Sequence, residues 1–129
     1  MQTALQARQF HAQRGKVRRQ QREELRRQRY ALVRDAIERI APAHPAIQAV
    51  YLFGSLVQPG RFGPRSDVDV AVDCDGPAAE SRFWQALESA LQIDVDLRPL
   101  RGAVARAVSS QGECVYERAV PTARAKHPA

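Results

Sequence analysis

Two short segments carry the residues that could do chemistry. Gly54 and Ser55 follow an apolar run that ends at Phe53, and Asp67 and Asp69 alternate with valines further along the chain. Because side chains alternate between the two faces of a strand, both carboxylates point the same way while the valines point into a core. A glycine turn with free N–H groups attracts phosphate oxygens, and carboxylates are the ligands that Mg²⁺ prefers. The pattern predicts a site for Mg²⁺ and a nucleoside triphosphate.

A third carboxylate from a neighbouring strand would complete such a site. Nucleotidyl transfer is well served by two Mg²⁺ ions about 3.5–4 Å apart that clamp the attacking and the leaving oxygen. The predicted strand Ile93–Leu97 offers Asp94 and Asp96. Both have the same face parity, so alternation alone does not choose between them.

Each of these signals also has an ordinary structural interpretation. Gly-Ser after a strand is commonly only a turn, and Asp-x-Asp on a strand can be a solvated face. Asp94 could simply pair with Arg98. The ordered combination of turn, paired acids and third acid is what favours a catalytic site.

The hydrophobic pattern predicts an α+β fold, a small mixed sheet with helices packed on it and a basic helix in front. An amphipathic helix begins near Gln21 and ends at Pro42, because the residue before a proline avoids the helical region. The remaining predicted elements are strands over 46–53, 66–74, 93–97 and 114–116, helices over 78–91 and 101–110, and one helical turn over 56–58.

Positive charge is concentrated at the N-terminus. Residues 1–34 hold ten Arg and Lys against two Glu, a net charge of +8, whereas residues 35–129 carry −2. We expect residues 1–20 to form a flexible arm or a frayed helix, residues 21–118 a single domain, and residues 119–129 a disordered tail. The positive charge therefore belongs to the N-terminal segment. The high overall pI does not by itself indicate that the whole protein binds nucleic acid.

The cysteines and the hydropathy of the chain indicate in which cellular compartment the protein is expected. Cys74 and Cys114 are the only cysteines and lie in no metal-binding spacing, which predicts reduced thiols and no structural zinc. No apolar stretch approaches the ~20 residues that a membrane span needs. A cytoplasmic protein is the expectation.

Three motifs together resemble a known family. They are Leu52-Phe53-Gly54-Ser55, the run Arg65–Val70 that contains Ser66-Asp67-Val68-Asp69, and Val95-Asp96-Leu97. They resemble the nucleotidyltransferase superfamily with the DNA polymerase β-type catalytic fold, and within it the minimal nucleotidyltransferases, or MNT domain proteins. The resemblance covers about residues 28–118, including a Gly112–Glu117 ending similar to the close of these small proteins.

The resemblance implies roles for individual residues. Gly54 and Ser55 match the phosphate-binding turn, and Asp67, Asp69 and Asp96 match the metal-binding and catalytic acids. Ser66 and Arg65 are further candidates for nucleotide binding. Many relatives carry Arg-Gly shortly after the Gly-Ser, where this chain has Gln58-Pro59-Gly60. Arg61 or Arg65 could replace that arginine.

The resemblance also implies a function. Such proteins often act as antitoxins that transfer AMP from ATP to a tyrosine of a helical HEPN partner, with Mg²⁺ as cofactor. Two alternatives stay open: a non-catalytic antitoxin that acts by steric capture, and nucleic-acid binding through residues 8–34. A homo-oligomer is also compatible with the sequence.

Overall fold

A four-stranded mixed sheet and three helices make up residues 3–119, the part of the chain that this computed structural model describes. The elements in chain order are α1 (Ala4–Ile40), β1 (Ile47–Phe53), β2 (Val68–Cys74), α2 (Pro77–Leu91), β3 (Val95–Pro99), α3 (Gly102–Gln111) and β4 (Glu113–Glu117). Short 3₁₀ turns at Ala41–Ala43 and Gly54–Val57 flank β1. The α+β fold class expected from the sequence is confirmed.

The sheet has the strand order β3-β2-β1-β4. The central strand β1 pairs antiparallel with both β2 and β4, and β2 pairs parallel with β3 through the crossover helix α2. The parallel pair sets Val68 beside Val95, Asp69 beside Asp96 and Val70 beside Leu97. Apolar and acidic side chains of the two strands are thereby sorted onto opposite faces.

The apolar face of the sheet packs against α1 and α2. Fully buried residues from both helices join the strand valines and leucines in one cluster, which includes Val33, Ile37, Phe83, Leu87, Val50, Leu52, Val70 and Leu97. Apolar area removed from water contributes roughly 25 cal/mol per Å². This cluster holds β2 and β3 in register, and α3 contacts β1 and β2.

Helix α1 is longer than the sequence predicted. It runs without interruption from Ala4 to Ile40, so the helix begins well before Gln21 and residues 4–20 are helical. Thr3 and Gln6 form a capping box: the Thr3 hydroxyl accepts from the Gln6 N–H at 3.1 Å, and the Gln6 side chain accepts from the Thr3 N–H at 2.9 Å. Only Gly15 breaks a run of good helix formers, at a cost of about 1 kcal/mol, and no proline interrupts it.

The strands that carry the acids begin later than predicted. β2 begins at Val68 rather than Ser66, because Ser66 closes a turn in which its N–H bonds to the Gly63 carbonyl at 3.0 Å. β3 begins at Val95 rather than Ile93, where the Val95 N–H donates to the Glu88 carboxylate at 2.9 Å. The predicted disordered tail, residues 119–129, lies outside the described residues apart from Ala119.

Both cysteines are free thiols, Cys74 partly buried and Cys114 exposed. None of the helices between residues 3 and 119 combines the length and apolar character needed to cross a membrane.

Candidate active site

Two of the predicted acids lie side by side on the polar face of the sheet. Asp69 on β2 and Asp96 on β3 are register partners in the parallel pair, which places their Cα atoms about 5 Å apart. Asp67 lies just before β2 and is exposed. Asp67 nevertheless lies close enough to Asp69 for its charge to raise the pKa of the Asp69 carboxyl group.

Asp69 is the acid most affected by its surroundings. Burial raises the pKa of its carboxyl group above the usual value, and the negative charges of Asp96 and Asp67 raise it further, against a smaller opposing effect of Arg98. A carboxylate in this position gains more from a bound cation than a solvated one does, because the cation offsets both the lost hydration and the repulsion. The electrostatics of the three acids therefore suit a divalent cation.

Gly54 lies directly against Asp69. Its φ of +74° is a conformation that side-chain-bearing residues rarely adopt. A Cβ atom at this position would lie 2.3 Å from the Asp69 Oδ2 atom, well inside van der Waals contact. Phe53 is the register partner of Asp69 across β1 and β2, so the turn at Gly54 begins where the acid points. Only glycine lets the backbone approach the carboxylate this closely.

The other residues predicted to bind the nucleotide lie around this turn. Ser55 is half-buried in the 3₁₀ turn and its carbonyl accepts from the Gln58 N–H at 3.1 Å. The Ser66 hydroxyl accepts from the Gly63 N–H at 2.8 Å, so it stabilises the loop before Asp67. Arg65 is exposed at the tip of that loop.

Asp96 and Asp94 have different surroundings. The Asp96 carboxylate accepts two bonds from the Arg98 guanidinium, from Nε to Oδ1 and from Nη2 to Oδ2, both 3.1 Å. This hydrogen-bonded ion pair raises the pKa of Arg98. The alternative that Arg98 pairs with Asp94 is wrong: Arg98 bonds to Asp96, two residues away on the same face of β3, whereas Asp94 has the same parity but lies four residues away, before the strand begins. Asp94 precedes β3, is exposed and has no register partner on β2.

Within residues 3–119, no three acidic, histidine or cysteine side chains are arranged to hold a metal ion as they stand. Each carboxylate oxygen of Asp96 accepts one hydrogen bond from Arg98. The donor set itself fits Mg²⁺, since carboxylate oxygens are its preferred ligands and Asp69 carries the destabilised charge that a cation would relieve.

Helix α1 contributes residues that sequence reasoning did not assign to this region. Leu25 and Arg29 line a cavity of about 270 Å³ together with Phe62, Asp67 and Asp94. The sequence shows that Leu25 and Arg29 have helical spacing to the core position Val33. It does not show that this part of the helix passes the loop before β2.

The fold has parallels among solved structures. A chain of a toxin–antitoxin structure with AMP-PNP is 34% identical, with a TM-score of 0.55 over 66% of this chain and 73% of that one. A chain of the toxin–antitoxin MntA–HpeT in a variant with two Asp-to-Glu substitutions is 31% identical, with the same TM-score and coverage. The MNT antitoxin in complex with a tri-AMPylated HEPN toxin of Shewanella oneidensis is 30% identical, with a TM-score of 0.50 over 69% and 73% of the two chains.

A comparison with curated proteins gives no significant match. Residues 35–120 match the family described as polymerase beta, nucleotidyltransferase. This match covers all the strands and every candidate acid. The fold is that of the nucleotidyltransferase-type antitoxins in the MntA and MNT complexes. The chain belongs to the polymerase β nucleotidyltransferase family.

Proposed function

We propose that this protein is a Mg²⁺-dependent nucleotidyltransferase that transfers AMP from ATP to a tyrosine hydroxyl of a HEPN partner and thereby acts as an antitoxin. The observation that carries the proposal is the register of Asp69 with Asp96 beside a glycine that a Cβ would drive into Asp69. The solved relatives support the choice of nucleotide and acceptor, since one holds AMP-PNP and another contains a tri-AMPylated HEPN toxin.

Each residue has a distinct task in this reaction. Asp67, Asp69 and Asp96 would hold Mg²⁺, which when bound neutralises phosphate charge and favours ionisation of the acceptor oxygen. The backbone of Gly54 and Ser55 supplies N–H donors to phosphate oxygens.

If Asp96 held a cation, Arg98 would be released from its ion pair with that acid. Its guanidinium lies on the same sheet face as the acids and carries the planar donor fork that suits phosphate. It can therefore replace the arginine that many relatives have after the Gly-Ser.

The test measures transfer of label from α-³²P-ATP to a purified HEPN protein of the same genome, with and without MgCl₂. We expect labelling by the wild type and a loss on the order of a hundredfold or more for Asp67→Asn and Asp69→Asn. Asp73→Asn is the matched control, because Asp73 lies on the same strand and face but at the exposed far end of β2. Labelling that survives both active-site substitutions would refute the proposal.

A non-catalytic antitoxin is the second candidate. One observation in its favour is the bidentate ion pair between Arg98 and Asp96. The other is the sequence Gln58-Pro59-Gly60 after the turn, where many relatives carry Arg-Gly. This candidate predicts a complex with the HEPN protein whose affinity is the same with or without Mg²⁺ and unchanged by Asp69→Asn, with no label transferred. Analytical gel filtration of the same samples distinguishes the two.

A further inference from the structure

Ahead of its buried residues, helix α1 presents a stripe of arginines that extends beyond the candidate active site. Arg19, Arg22, Arg26 and Arg29 follow one another at three- and four-residue spacing. The same spacing continues to Val33 and Ile37, which are fully buried. The arginines therefore lie on the side of the helix that faces the domain, beyond the point where the core ends.

Arg19 and Arg22 of this stripe line a series of three adjoining surface concavities, which we call the basic trough. Its near end is a cavity of about 410 Å³ where Arg22 on α1 faces Arg61 and Arg65 on the loop before β2. Its middle is a cavity of about 580 Å³ lined by Arg18, Arg19 and Arg22, which shares Arg22 and Pro64 with the first.

The far end of the basic trough is partly apolar. A third cavity, of about 380 Å³, lies between Phe10, Arg14, Val17 and Arg18 on α1 and shares Arg18 with the middle cavity. Phe10 is 48% exposed and Val17 49% exposed, and the Arg14 guanidinium lies over the Phe10 ring at 5.6 Å.

The charges in the basic trough are uncompensated. No carboxylate lines any of the three cavities among residues 3–119. In the same described residues, the cations of the trough have no ion pair within 4.0 Å, whereas Arg26 pairs with Glu23 and Arg34 with Glu38. Several like charges around one concavity repel one another, and a polyanion in the trough would relieve that repulsion.

We propose that the basic trough binds a single-stranded nucleic acid. Nine of the ten basic residues among the first 34 are arginine, whose fork binds phosphate oxygens in pairs. Phosphate contacts alternating with exposed apolar and aromatic surface are the usual means of holding single strands, with bases stacked on aromatic rings. The part of α1 that lines the basic trough, from Phe10 to Leu25, spans roughly 22 Å of helix. This function differs from AMP transfer and uses none of the acids Asp67, Asp69 and Asp96, although the near end of the trough shares Arg65 and Ser66 with the predicted nucleotide-binding residues.

The experiment uses the full chain without Mg²⁺ or ATP and measures fluorescence anisotropy of labelled oligouridylate and oligodeoxythymidylate of about 12 nucleotides. We expect both to bind, with affinity that falls about 50-fold between about 50 and 200 mM salt for four phosphate contacts. The variant Arg18→Gln/Arg19→Gln/Arg22→Gln should bind at least about tenfold more weakly at the lower salt concentration and reduce the salt slope by about 2.

A matched variant separates position from charge. Arg27→Gln/Arg82→Gln/Arg106→Gln removes the same charge from exposed sites outside the basic trough and should bind nearly as the wild type does. Phe10→Ala should weaken binding roughly fivefold or more, and Leu5→Ala, at an exposed apolar residue of the same helix that does not line the trough, should not. Circular dichroism of each variant checks that α1 remains helical.

Four outcomes would overturn the proposal. They are equal losses in the two triple variants, equal or tighter binding of a duplex of the same length, equal binding of a poly-glutamate peptide, and complete displacement of the oligonucleotide by ATP alone. The third would point to an acidic protein segment and the fourth to a mononucleotide site.

Discussion

At the scale of single residues, Gly54 and Asp69 determine each other's identity. Gly54 adopts φ +74° and leaves no room for a Cβ beside the Asp69 Oδ2 atom. Asp69 in turn is held against Asp96 by the strand register. The site is therefore built by backbone approach as much as by the acids themselves.

Gly54→Ala should displace the Asp69 carboxylate and abolish MgATP binding, while it destabilises the fold by about 1–3 kcal/mol through the unfavourable φ. Gly60→Ala is the matched control, because Gly60 has φ +83° but nothing within 4 Å of an added Cβ. It should show a similar loss of stability and normal MgATP binding. Urea denaturation and titration calorimetry measure the two effects, and equal MgATP affinity in both variants would contradict the interpretation.

Asp69 also makes stability depend on pH. Burial and the neighbouring acids raise the pKa of its carboxyl group in the folded state. Below the usual carboxyl range the group is protonated in both folded and unfolded chains, and it imposes no cost. As the pH rises toward the elevated folded pKa the cost of ionisation grows, and above that pKa it is fully present.

Asp69→Asn should therefore be more stable than the wild type at neutral pH, and the difference should shrink as the pH falls through the acidic range. Addition of MgCl₂ at neutral pH should stabilise the wild type and not the variant. The free energy of unfolding, measured by urea titration at several pH values, checks both. Asp73→Asn, an exposed acid of the same strand, should show neither effect.

At the scale of elements, α1 has two halves with different roles. Its buried residues are Val33, Ala36 and Ile37, all in the C-terminal half. The Tyr30 hydroxyl donates to the Glu113 carboxylate at 2.6 Å and ties this half to β4. The N-terminal half, residues 4–21, carries four arginines and Lys16 with no acidic residue, and contributes no buried side chain among those described.

A chain that begins at Gln21 should keep the fold and lose less than about 1 kcal/mol of stability, because it removes no core residue. Ile37→Ala should cost about 2–5 kcal/mol by leaving a cavity between α1 and the sheet. Leu32→Ala is the control, because Leu32 lies in the same half of α1 but is 58% exposed, and it should change stability little. Urea denaturation gives all three values. A truncated chain as unstable as Ile37→Ala would show that the N-terminal half takes part in the core.

At the scale of the whole molecule, charge is divided between two surfaces. Acids converge at the ends of β2 and β3, whereas cations line the N-terminal half of α1 and the loop before β2. The net charge of +6 conceals this separation.

The two surfaces should respond independently to substitution. Arg18→Gln/Arg19→Gln/Arg22→Gln should leave MgATP affinity within roughly twofold, since these charges lie at the surface and are screened by salt. Asp69→Asn should lose MgATP binding and keep oligonucleotide binding. Titration calorimetry measures the affinity of each variant for MgATP and for the oligonucleotide. A variant that binds neither ligand would show that the two surfaces form one site.

The sequence by itself determined the α+β class, the number of strands and their order along the chain, and the grouping of Gly54 with Asp67 and Asp69. Alternation of valine and aspartate permits only one sorting of faces, and Pro42 permits only one end for the first helix. It did not determine the extent of α1, because a polar helix without an apolar stripe has no periodic signal before Gln21.

Only the tertiary structure decided between Asp94 and Asp96 as the neighbour of Asp69. Both have the same parity, and the choice depends on the register of β2 against β3, which is a property of two packed strands. The same register brings Arg98 to Asp96, and the course of α1 past the loop before β2 creates the basic trough. These features depend on contacts between segments distant in sequence, which no local pattern specifies.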